Sequence, residues 1–263
     1  MKITLNKLCT ILFVIFCFGL AHCEKKIDYK TATKEELLKL VEEDDVEAML
    51  QLGRNAIIKD NHDLETAIKY FKMAADKENG IGIYNYIVAK SILNPEANDF
   101  EQNEQNRIDL KKAYELGSHH AQSQYARLLI LLSYDENNKR IKDKKSFEEA
   151  RRLSEEAADK YDDPEAYCNL ALWTGCNNHS FNLGDEADYY FIKSIEKGSW
   201  EGYNFYAGII YNQLPPDQIL QRLSKWKDQF PLEYEMYECI INDKPLPKVP
   251  DEYRYSRLEY MLE

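Results

Sequence analysis

Four times along the chain an amphipathic helix closes on small residues and a second helix opens a few residues later. That pattern constrains the chain to a stack of similar helix pairs. The joins run from Lys72-Met73-Ala74-Ala75-Asp76 to Ala89, from Lys112-Ala113-Tyr114-Glu115-Leu116-Gly117 to Ala126, from Glu156-Ala157-Ala158-Asp159 to Ala171, and from Lys193-Ser194-Ile195-Glu196-Lys197-Gly198 to Ala207. The later alanines are separated by 37, 45 and 36 residues, inside the window for helix-pair solenoids, with an insertion accounting for the longest. Val46 to Gly53 supplies a half-match that starts the array. Small residues suit these joins because antiparallel helices approach closely only where side chains are short; Ala74, Ala113, Ala157 and Ala207 are expected at such contacts.

The helices themselves are legible. Leu64, Ala67, Ile68, Phe71, Ala74 and Ala75 mark one helical face, as do Phe147, Ala150, Leu153, Ala157 and Ala158, the latter introduced by Ser146 and Glu149 in capping-box spacing. Tyr203, Tyr206, Ala207, Ile210 and Tyr211 mark another, and Asp163-Pro164 reads as an N-cap followed by proline at the first helical position. With 10 glycines and 8 prolines the chain is too poor in turn formers for a turn-dense all-β fold. At 44% hydrophobic residues it can bury a core. A net charge of -12 argues against general nucleic-acid binding, which draws its affinity from lysine and arginine.

These residues resemble the Sel-1-like repeat family, a branch of the tetratricopeptide-like α-solenoids. Tyr70-Phe71-Lys72-Met73-Ala74-Ala75, Leu116-Gly117 and Glu165-Ala166-Tyr167-Cys168-Asn169-Leu170-Ala171 carry the family pattern. The family's glycine-rich loop is replaced by Asn94 to Asn106 in one repeat and by the charged Ser133 to Lys145 in another, so the loops are specialised. The resemblance implies an all-α, right-handed α/α solenoid of four to five helix pairs with a C-terminal cap.

The domain plan follows. Residues 1–23 carry Lys2 and Lys7 before a short apolar run and read as a secretory signal peptide. Its ending, Leu20-Ala21-His22-Cys23, fits either a lipoprotein signal, with Cys23 lipidated, or ordinary cleavage after Cys23. Residues 24–45 form an N-terminal capping helix, 46–212 the repeats, and 213–263 a cap helix from Pro215-Pro216 to about Phe230 followed by a Pro/Tyr-rich tail interrupted by Pro231, Pro245, Pro247 and Pro250. Loss of Lys2 and Lys7 would take the charge to -14.

Recognisable catalytic chemistry is missing. The sequence has no phosphate loop, zinc-protease helix or serine elbow, and no cofactor or metal is expected. Cys168, Cys176 and His179 match no strong zinc spacing. Outside the signal the thiols are Cys168, Cys176 and Cys239, which allow at most one disulfide, of undetermined pairing. Cys168 and Cys176 on one helix would stand about 12 Å apart, too far to bridge. His119-His120 reads as an exposed first turn.

The feature above composition is aromatic abundance, 19 tyrosines and 3 tryptophans in an acidic array. Trp173, Trp200 and Tyr203 near repeat joins, and Tyr234 and Tyr237 in the cap, are the candidate partner-binding residues, each weighed against a core role; Tyr253, Tyr255 and Tyr260 of the tail are further candidates. The expected function is a non-catalytic exported interaction module, periplasmic or held on the membrane by lipid. Secreted members of the family include immunity proteins that neutralise type VI secretion effectors such as lipases, and the resemblance puts that role first. An envelope signalling regulator or host-interaction scaffold comes next, and a cell-wall enzyme accessory last.

Overall fold

The computed structural model describes residues 27–60, 62–93, 104–135, 140–179, 184–250, 253 and 262. The signal segment with Cys23, most of the Asn94 to Asn106 loop, and Tyr255 and Tyr260 lie outside the described residues. The elements are α1 (Lys34–Glu42), α2 (Val46–Ile58), α3 (Leu64–Asp76), α4 (Gly80–Leu93), α5 (Glu104–Glu115), α6 (His119–Ser133), β1 (Tyr134–Asp135), β2 (Arg140–Ile141), α7 (Lys144–Tyr161), α8 (Pro164–Asn177), α9 (Glu186–Glu196), α10 (Trp200–Tyr211), α11 (Pro216–Leu223), a 3-10 turn (Ser224–Trp226) and α12 (Pro231–Ile241). No described helix is long and apolar enough to cross a membrane.

The fold is all-α, an array in which each helix packs on the next. The even helices α4, α6, α8 and α10 also touch one another in sequence, so the pairs stack side by side. Four described pairs, α2–α3 to α8–α9, are followed by α10, which packs against α11.

Register is set at the start of each even helix. Asp45, Asn79, Ser118 and Ser199 each accept a hydrogen bond from the backbone N–H three residues on, at Ala48, Gly82, Ala121 and Gly202, while Asp163 accepts from Glu165 N at 2.9 Å. Each cap satisfies one of the orphan donors of a first turn. All five positions three after a cap are small and buried: Ala48, Gly82, Ala121, Ala166 and Gly202. A Cβ on Gly82 would stand 2.6 Å from the Cβ of Ala74, so glycine is there to let α3 and α4 touch. Ala74, Ala113, Ala157 and Ala207 are all fully buried, as their spacing predicts.

The caps correct the repeat length. They are spaced by 34, 39, 45 and 36 residues, and eight residues after each stand Gly53, Ile87, Ala126, Ala171 and Ala207. Ala89 is therefore two residues out of register with the later alanines.

Four other expectations change. The Ser133 to Lys145 segment contains an antiparallel pairing, Tyr134 opposite Ile141 and Asp135 opposite Arg140, rather than loop alone. Its helix α7 begins at Lys144 with Asp143 as cap, so Ser146 is inside the first turn rather than before it. The cap helix is shorter than expected, ending at Leu223 in a 3-10 turn. Pro231 starts α12 instead of interrupting structure, since a first-turn proline loses no helical hydrogen bond. The cap covers the last repeat through Phe230, 5.0 Å from Tyr203 between ring centroids, and Trp226, 6.0 Å from Tyr206.

Candidate functional site

A buried polar cluster joins three successive even helices. Arg127 of α6 donates from Nη2 to Glu165 Oε2 of α8 at 2.6 Å and from Nε to Asn169 Oδ1 at 3.0 Å, and its Nη1 pairs with Glu201 of α10. Glu165 Oε1 accepts from Ser199 Oγ at 2.7 Å, and Asn169 Nδ2 donates to the Ser123 carbonyl at 2.7 Å. Ser123 Oγ donates to Asp163, whose other oxygen caps α8. A buried charge is tolerable only when paired and hydrogen-bonded, and Arg127 and Glu165 are both, while Asp163 is held by hydrogen bonds and Glu201 by its pairing with Arg127. The cluster therefore fixes how α6, α8 and α10 sit relative to one another.

That arrangement determines which side of α10 is open. Tyr203, Tyr206, Ala207 and Ile210 face the core, whereas Trp200, Glu201, Asn204, Phe205, Gly208, Tyr211 and Asn212 lie on the other arc and are half-buried or exposed. Phe205 sits with the Arg127 guanidinium 5.9 Å from its ring centroid, a cation–π contact that holds the ring from beneath. A Cβ on Gly208 would meet nothing within 4 Å, so the middle of this face is open and flat. Asn204 Nδ2 donates to the Trp200 carbonyl at 3.0 Å, and the Tyr237 hydroxyl of α12 donates to the Asn204 carbonyl at 3.3 Å.

Of the five aromatic residues marked ahead of the tail residues Tyr253, Tyr255 and Tyr260, three are core. Trp173 is 8% exposed, stacks on Phe147 at 5.3 Å and donates from Nε1 to the Phe147 carbonyl. Tyr203 is fully buried and Tyr234 is 8% exposed. All three pack into the core rather than standing out on the surface. Trp200 and Tyr237 are half-buried beside the open arc of α10. Phe205 was not singled out in the sequence, and Tyr211, read there as part of the face of Tyr203, Tyr206, Ala207 and Ile210, is 45% exposed and falls off that face. Arg127 was also missed, although Glu165 and Glu201 both stand two residues after a cap.

The other candidates resolve by geometry. No disulfide joins Cys168, Cys176 and Cys239. Cys168 and Cys176 share α8, and the first is wholly enclosed; burial pushes its thiol up to about 12. Among the described residues no three His, Cys, Asp or Glu side chains are grouped to hold a metal. His119 and His120 lie 4.2 Å apart between ring centroids and pack on Tyr161 and Tyr84, so they are half-buried rather than a fully solvated turn.

No family model matches the chain, and neither does any curated protein. Among solved structures it is similar to a Sel1 repeat protein from Oxalobacter formigenes, with 18% sequence identity and a TM-score of 0.48 over 88% of this chain and 98% of that chain.

Proposed function

We propose that the protein is a non-catalytic interaction module that binds a protein partner against the open face of α10. The observation that carries this reading is the face itself: Phe205, Gly208 and Tyr211, with half-buried Trp200 at its start, lie on one arc of a helix held in place by the Arg127 cluster. Tryptophan, tyrosine and arginine dominate binding hot spots, and a rigid support lowers the ordering cost of association. The net charge of -12 favours a basic partner and speeds its encounter.

The more specific form of the proposal is an immunity protein that neutralises an exported toxin, such as a type VI secretion lipase, in the periplasm or from a lipid anchor at Cys23. The Sel-1-like resemblance of the repeats and the signal-like first 23 residues support it. Co-expression with candidate exported toxins drawn from the products of the adjacent genes, scored by survival and by a stoichiometric complex, is the test. Survival of cells without this protein would remove the immunity role, while absence of any complex would remove the interaction reading as well.

A further inference from the structure

Three prolines follow the last helix at a spacing that ending a helix does not require. α12 closes on a left-handed cap: Asp243 has φ 51°, its N–H donates to the Ile240 carbonyl, and the Lys244 N–H donates to the Cys239 carbonyl at 2.9 Å. Pro245 alone would keep the helix from resuming. Pro247 and Pro250 add nothing to that stop, but they constrain the backbone beyond it. A proline holds its own φ near the polyproline II value and pushes the residue before it toward the same region. In Lys244-Pro245-Leu246-Pro247-Lys248-Val249-Pro250 every residue except Lys248 is a proline or precedes one.

The structure leaves this stretch open. Residues 244–250 lie in no helix or strand, and among the described residues no hydrogen bond reaches them between the Lys244 N–H and the Pro250 carbonyl. Leu246 is 57% exposed and Val249 40%. Both ends are held. Beyond the Lys244 cap, the Pro250 carbonyl accepts from the Tyr253 N–H at 3.1 Å, and the Tyr253 hydroxyl donates to Glu233, a buried residue of α12. A segment so constrained has little left to order on binding.

At about three residues per turn, polyproline II puts Lys244, Pro247 and Pro250 on one edge, Leu246 and Val249 on the next, and Pro245 and Lys248 on the third. The first two edges together present two apolar-proline steps and one cation. That cation stands at the N-terminal end, and Asp251 and Glu252 follow the last proline, so charge gives the segment a direction.

We propose that residues 244–250 are a docking peptide for a partner domain of the polyproline-binding class. Its aromatic-lined groove would take Leu246-Pro247 and Val249-Pro250, and a carboxylate at one end of the groove would take Lys244. The surface is distinct from the open face of α10 and stands whether or not that face binds a protein.

The probe is an isotope-labelled SH3 domain that selects peptides of the form Lys-x-x-Pro-x-x-Pro. The purified protein should shift its groove tryptophan saturably. Joint Pro247→Ala and Pro250→Ala substitution should weaken binding by about tenfold or more. Lys244→Ala should weaken it by about fivefold or more, whereas Lys248→Ala, the same loss of charge on the outward edge, should stay within about twofold. Gly208→Arg, on the α10 face, should leave it unchanged. No saturable shift, equal losses from the two lysine variants, indifference to the double proline variant, or loss of binding in Gly208→Arg overturns the proposal.

Discussion

Arg127 Nη2 lies 2.6 Å from Glu165 Oε2 across the α6–α8 interface, with both side chains more than nine-tenths buried. Because Glu201 of α10 shares the same guanidinium, one arginine ties three helices, α6, α8 and α10. Arg127→Met leaves two carboxylates buried without their counter-charge, and the expected cost is about 3 to 5 kcal/mol in urea unfolding. A cost under about 1 kcal/mol, the range of an exposed pair, would show the cluster does not brace the array.

Tyr203 and Tyr206 differ in what their hydroxyls meet. The Tyr203 hydroxyl is buried with no hydrogen-bond partner, whereas Tyr206 receives the Arg222 guanidinium. Tyr203→Phe is therefore expected to be neutral or to raise stability by about 1 kcal/mol, and Tyr206→Phe to lower it by about 1 kcal/mol. Thermal unfolding of the two single variants reads both signs.

At the α7–α8 contact, Ala157 is fully buried with Ala158, Ala166, Tyr167 and Leu170 around it. Ala157→Leu overpacks this joint and should cost about 1 to 3 kcal/mol while the far-ultraviolet spectrum stays helical. Unchanged stability would mean the helices do not meet there.

Alkaline pH should weaken the fold. Burial raises the Cys168 thiol from 9.0 to about 12 and the Tyr206 phenol from 10.0 to about 12. Above pH 9 the unfolded chain releases these protons while the native state keeps them, so unfolded protein binds fewer protons and stability falls with rising pH. The loss begins near pH 9 and continues to about pH 12. Denaturant midpoints between pH 8 and pH 11 measure it, and at pH 8 a thiol reagent should modify half-exposed Cys239 well before Cys168.

The helix pairs were legible because caps, small residues and apolar periodicity are local signals; Asp163-Pro164 and the Ala74, Ala113 and Ala157 joins are where the spacing puts them. The candidate site was less so. Tyr203 and Phe205 are both aromatic and two residues apart, but one is core and the other open, and only the phase of α10 against its neighbours separates them. Arg127 finds its partners 38 and 74 positions along the chain, which depends on how repeats stack rather than on any local pattern. The short strand pairing of Tyr134 with Ile141 was hidden because two-residue strands leave no periodicity to read.

The central claim is that the open face of α10 binds a protein partner. Gly208→Arg tests it most directly, because a side chain there enters open space without touching the core. Co-expressed with a candidate exported toxin, the unaltered protein should co-elute with it in a fixed ratio on gel filtration. Gly208→Arg should retain the native unfolding midpoint and lose the complex. A complex that survives Gly208→Arg undiminished, or no complex with the unaltered protein, would contradict the account.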